Sequence, residues 1–152
     1  MVFKSFCHAG HTHLIEFVHK KILILCKFVV IIVFFLSVCH NHSPLLVQLA
    51  VSNIELYCKN ENITKLFLTG SEIERVDKRI ITGMVDSLNK KDVQVVYGEN
   101  ICYDAAAMRE ASEASHVVLV ETTNASIYQE IEKELRMLKD WNVDVIGCVG
   151  VE

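Results

Sequence analysis

Beyond residue 44 the chain alternates short apolar runs with longer stretches in which apolar residues recur every three or four positions. Few architectures accept that pattern: it is the signature of strands alternating with amphipathic helices, and hence of a parallel sheet. Residues 116–121 (HVVLVE) are the clearest strand, because a nearly unbroken apolar run is what a central parallel strand covered on both faces requires. Residues 63–69 (ITKLFLT), 93–97 (VQVVY) and 143–149 (VDVIGCV) supply three more. Between the first two, Ser71 and Glu74 have the spacing of a capping box. Ile73, Val76, Ile80, Ile81, Met84, Val85 and Leu88 then predict a helix running to about Asn89. Asp104 is placed to cap the helix AAAMREASEA. Ser126 and Gln129 form a second capping box, followed by an apolar face of Ile127, Ile131, Leu135 and Leu138 and a solvated face of Glu130, Glu132, Lys133, Glu134 and Arg136. With right-handed crossovers the expected fold is a small three-layer α/β/α sandwich on a mostly parallel sheet.

The amino-terminal third is a different kind of chain. Residues 22–39 (ILILCKFVVIIVFFLSVC) are apolar apart from Lys27 and Ser37, and they approach the ~20 residues that span a hydrocarbon core. Lys27 lies toward one end, where its stem can reach the headgroups. The reading is one transmembrane helix, against a cleaved signal as the rival. It divides the chain into a polar tail (1–21), a membrane helix (22–39), a linker (40–51) and an α/β domain (52–152). Lys4, Lys20, Lys21 and Lys27 precede or enter the span, and no Lys or Arg follows until Lys59, a bias that would hold the amino terminus in the cytoplasm. Cys7, His8, His11 and His13, and then Cys39, His40 and His42, are ligand types, but they read as polar flanks of a hydrophobic helix rather than as a metal site. Cys58, Cys102 and Cys148 fall in or beside apolar runs and read as small buried hydrophobes.

In such a sheet, ligands bind beyond the carboxyl ends of the strands, where the strand order reverses. Thr69, Gly70 and Ser71 follow the first strand, and Thr122 and Thr123 follow the third, so these five are the candidate ligand-binding residues. A phosphate loop would need GxxxxGK[ST]; residues 69–78 read TGSEIERVDK, with one glycine and with Glu72 and Glu74 where a phosphate would lie. The turn therefore argues against nucleotide binding, no catalytic residue is assigned, and no cofactor is implied. Nor is there a Gly-x-Ser-x-Gly elbow. His116 opens the central strand and reads as structural. With 15 basic against 19 acidic residues, a net charge of -4, the chain has no electrostatic footprint for nucleic acid.

From residue 52 onward the sequence resembles the cytoplasmic ATPase-like domain of bacterial tyrosine kinases and the allied chain-length determinant proteins of capsule and exopolysaccharide synthesis, which are similar to MinD-type ATPases. Residues 52–56 (SNIEL) look like that family's "R-T-N-I-x-F" segment, and residues 65–70 resemble its first strand. Residues 110–151 resemble its late strand, loop, helix and closing "V-x-V-I-G-V-V" strand. The phosphate loop, the Asp-bearing strands and a tyrosine-rich tail are not recognisable, so no catalytic residue carries over. The resemblance implies a catalytically silent module at the cell membrane with its globular part in the cytoplasm, the reverse of what the Lys bias gives. It would bind a protein partner in polysaccharide assembly, with self-association left open. The alternative is a small-molecule-binding or enzymatic domain that uses the same crevice with unrecognised chemistry.

Overall fold

A computed structural model describes residues 44–122 and 125–151. In chain order these form α1 (Pro44–Glu61), β1 (Lys65–Thr69), a 3-10 turn (Ile73–Arg75), α2 (Lys78–Asn89), β2 (Gln94–Tyr97), α3 (Ala105–Ala114), β3 (His116–Thr122), α4 (Tyr128–Asp140) and β4 (Asp144–Val151). The four strands make one parallel sheet in the order β2-β1-β3-β4. The α/β class and the parallel sheet expected from the apolar runs are therefore present, with all four strands near their expected positions. In the sheet, Phe67 to Thr69 pair with Val117 to Leu119, and β3 pairs with β4 along its whole length apart from an irregularity at Val117/Val118.

Two cores, one on each face, explain why the strands read as unbroken apolar runs. Leu66, Leu68, Val118 and Val120 point to the face covered by α1 and α2, where they meet Ile54 and Cys58 of α1 and Ile81, Met84 and Leu88 of α2. The alternate residues Phe67, Val117 and Leu119 point to the other face, against Ala107 and Ala111 of α3 and Ile131 and Leu138 of α4. A period of two along a strand thus distributes its apolar residues to both layers, and neither face can be polar. Alanines on α3 let that helix approach the sheet closely, as the composition of AAAMREASEA suggests.

Four of the turns leading into strands share one device. Asn62, Asp92, Ser115 and Asn142 sit at φ values of 59°, 64°, 63° and 56°, the left-handed conformation that closes a helix end. Asn and Asp tolerate it because their short polar side chains hydrogen-bond locally, and Ser115 likewise turns its hydroxyl to the Ser112 carbonyl at 3.4 Å.

Three expectations are corrected. The linker over 40–51 is not what stands at residues 44–51: they are the first two turns of α1, and Ala50 and Val51 are core residues, so the domain begins before residue 52. No helix starts at the Ser71/Glu74 box. The chain makes the 3-10 turn, extends through Val76 and starts α2 only at Lys78, with Asp77 accepting the Arg79 amide at 2.9 Å. The reason is that Ile73 and Val76 are pulled into the α1/α2 core while Ser71 is engaged elsewhere. At the second box, α4 is capped by Ile127 with no side-chain hydrogen bond, because Ser126 is likewise engaged elsewhere. Ile127 is 54% exposed, whereas Glu134, expected on the solvated face, is fully buried.

Among the described residues no helix is long and apolar enough to cross a membrane. The expected transmembrane helix at residues 22–39 lies outside the described residues, as do the amino-terminal Cys and His clusters.

Candidate functional site at the carboxyl ends of the strands

The strand order reverses between β1 and β3, since the chain passes from β1 outward to β2 and returns to β3 on the other side. The carboxyl ends of these two strands are where an α/β sheet opens a crevice. Thr69, Gly70, Ser71 and Thr122 do converge there; Thr123 lies outside the described residues.

Each of the four is committed to the protein itself. Thr69, wholly buried, donates its hydroxyl to the Glu99 carbonyl at 2.8 Å. Gly70 runs so close to β3 that a Cβ built on it would lie 2.0 Å from the Val120 carbonyl oxygen. Ser71 donates its amide to Glu121 Oε1 at 3.1 Å and its hydroxyl to Glu121 Oε2 at 2.5 Å. The Thr122 amide donates to Ser126 Oγ at 2.9 Å, and that hydroxyl donates in turn to Glu121 Oε2 at 2.5 Å. Asn100 fastens the outside of the turn, donating to the Ser71 carbonyl at 3.0 Å and accepting the Cys102 amide at 2.8 Å. The crevice is laced shut around a carboxylate.

Glu121 is therefore the centre of the site. Its position at the end of β3 follows from the strand period: Val117, Leu119 and Glu121 are alternate residues and share one face. Glu134 approaches the same buried region from α4, on the stripe Ile131, Glu134, Leu138. Burial raises the Glu121 carboxyl above its ordinary range, while the hydroxyls of Ser126 and Ser71 and the Ser71 amide pull it back down. Glu134 is pushed up to about 9, first by burial and then by the charge of Glu121. Burial also raises the Cys148 thiol, and it raises Cys102 to about 11.

Outside the laced turn lies an open cleft of about 360 Å³. Ser71 and Asn100 form part of its wall, Glu72, Glu74, Glu99, Asp104 and Glu130 make it acidic, and Tyr103 and Ile127 add apolar surface. Tyr103 donates its hydroxyl to Glu130 at 2.8 Å and carries Lys133 over its ring. Such a lining repels phosphate. Among the described residues no group of three or more His, Cys, Asp or Glu is placed to hold a metal ion.

Neither Glu121 nor Ser126 is among the five residues that sequence reasoning places at the site. The signal for Glu121 was the strand period, and that for Glu134 was its spacing from Ile131 and Leu138. Comparisons of the chain with protein-family models, curated proteins and solved structures give no match.

Proposed function

We propose that this chain is a non-catalytic, membrane-tethered α/β module that works through contacts with a protein partner. The observation that carries this reading is the fate of Ser71. In a nucleotide-binding α/β domain the amide and hydroxyl at this turn face a phosphate; here both face the chain's own Glu121. Gly70 is pressed on Val120, and the cleft outside Ser71 is lined by carboxylates that repel a polyphosphate. Contact with a protein is supported by the exposed large side chains Tyr103 and Ile127, which flank the acidic cleft. The tether rests on residues 22–39, and the setting of membrane polysaccharide assembly rests on the resemblance of residues 110–151.

The test is titration calorimetry of the full chain in detergent with ATP and Mg²⁺. No heat of binding is expected, and micromolar affinity would overturn the reading. A second reading, a small-molecule receptor, draws on the cleft itself, whose volume lies in the range of ligand pockets. Its five carboxylates limit the ligand to a cation, so binding of an organic diamine that is lost in Glu99→Gln would favour that reading.

A further inference from the structure

We propose that Glu121 and Glu134 share one proton, and that the resulting acid–carboxylate pair is a proton-linked clasp holding the Ser71 turn and Ser126 at the end of the sheet. Glu121 accepts three hydrogen bonds, from the Ser71 amide, the Ser71 hydroxyl and the Ser126 hydroxyl, and all three suit a carboxylate. An ionised Glu121 is thus matched by its donors.

Glu134 is not. It is fully buried, and neither of its oxygens meets a hydrogen-bond donor. The titratable groups that act on it or beside it are Glu121 on β3, Glu130 on its own helix, Cys148 on β4 and Cys102 after β2. Each of these is neutral or negative. Lys133, the next residue toward the amino end of α4, is exposed and is turned to the Tyr103 ring and Glu130. A bare carboxylate in such a place is too costly to keep, so Glu134 stays as the acid. The acceptor for its O–H is the neighbouring Glu121 carboxylate, and the pair then carries a single negative charge.

The clasp is placed where its release would matter. Ser71, Ile127 and Glu130 line the acidic cleft, and each belongs to one of the segments held by Glu121 or carrying Glu134. Removal of the shared proton sets two carboxylates against each other beside Glu130. The relief is hydration of the pair, which loosens the bonds by which Glu121 holds the Ser71 turn and Ser126. Because Ser71 is part of its wall, the cleft is thereby linked to a proton, and a cationic partner entering it would favour the ionised form by the same linkage.

Two measurements on the full chain in detergent test this. Infrared spectroscopy at pH 7 should show a carboxylic-acid C=O band from a buried, protonated group, absent in Glu134→Gln; if wild type and variant share the same spectrum, the proposal is wrong. Hydrogen exchange followed by mass spectrometry from pH 6 to pH 10, corrected for the intrinsic base-catalysed rate, should show peptides covering residues 70–74 and 125–131 losing protection as pH passes about 9, tenfold per further unit, while α2 stays protected. Glu134→Gln, a neutral isostere, should hold its protection across the range. Parallel loss in wild type and variant, or full protection of the wild type at pH 10, would overturn the clasp.

Discussion

The tightest test of the closed crevice is Gly70→Ala. The added Cβ would stand 2.0 Å from the Val120 carbonyl oxygen and 2.9 Å from its carbon, both backbone atoms in the central strand. A side chain could turn away from such a clash, but a strand can only be displaced. Relief to an ordinary contact requires more than 1 Å of separation between the ends of β1 and β3, since separations under 3.0 Å are essentially never tolerated. That movement strains the Thr69–Leu119 pairing and draws the Ser71 amide and hydroxyl off Glu121. Overpacking of this kind costs about 1–3 kcal/mol. Weakened bonds to a buried charge add roughly 1.5–3 kcal/mol. Together they make a loss of about 2.5–6 kcal/mol, a large share of the roughly 5–15 kcal/mol that holds a domain folded.

Gly83→Ala is the matched control. Gly83 lies inside α2 with open space around its Cα, so the same substitution should gain about 0.5–1 kcal/mol from helix propensity and the stiffer unfolded chain. Urea unfolding of the full chain in mild detergent, followed by far-ultraviolet circular dichroism, should move the two midpoints in opposite directions at unchanged slope. Should Gly70→Ala unfold within about 1 kcal/mol of wild type, the strands are free to part and the reasoning that no ligand fits between them fails.

The remaining predictions concern the same end of the sheet and the core beneath it. Ser126→Ala removes the hydroxyl that joins the Thr122 amide to Glu121, and should cost about 1.5–3 kcal/mol in the same unfolding assay. Leu138→Ala, at a fully buried position of α4, should cost about 2–5 kcal/mol through transfer and cavity terms. Glu134 should make stability fall with rising pH: below its ordinary value of 4.5 both folded and unfolded chains hold the proton, and between 4.5 and about 9 only the folded chain does. The loss is about 1.4 kcal/mol per pH unit across that window, and on the order of 3 kcal/mol by pH 7. Glu134→Gln should therefore be the more stable protein at pH 7 and 8, with the difference shrinking toward pH 5; a difference that does not change with pH would refute the assignment.

How far the sequence could be read depended on whether a residue's partner was near or far along the chain. The strands were legible because burial on two faces forces continuous apolar runs, as in residues 116–121. The helix α3 was legible because its cap is local: Asp104 accepts the Ala106 amide two residues on, at 2.8 Å. The start of α1 was not, since residues 44–51 are apolar around much of the helix and offer no stripe to separate a linker from a buried turn. The two capping boxes failed for a non-local reason. Ser71 and Ser126 have the right spacing to Glu74 and Gln129, yet both hydroxyls go to Glu121, in the first case across fifty residues of sequence.

That competition explains the site. A serine hydroxyl at a helix start gains about 1 kcal/mol by capping a neutral amide. The same hydroxyl given to a buried carboxylate makes a charge-assisted bond roughly twice as strong, and failing to supply it leaves the carboxylate uncompensated. Once β3 ends in Glu121 and the sheet brings Ser71 alongside, local capping loses. The helices accordingly begin later, α2 at Lys78 on an Asp77 cap and α4 at Tyr128 with no side-chain cap. The two segments released from helix become the turn and connection that close the end of the sheet. A single acidic residue at the end of the central strand thus moves two helix starts and fills the position where a ligand's anion would lie.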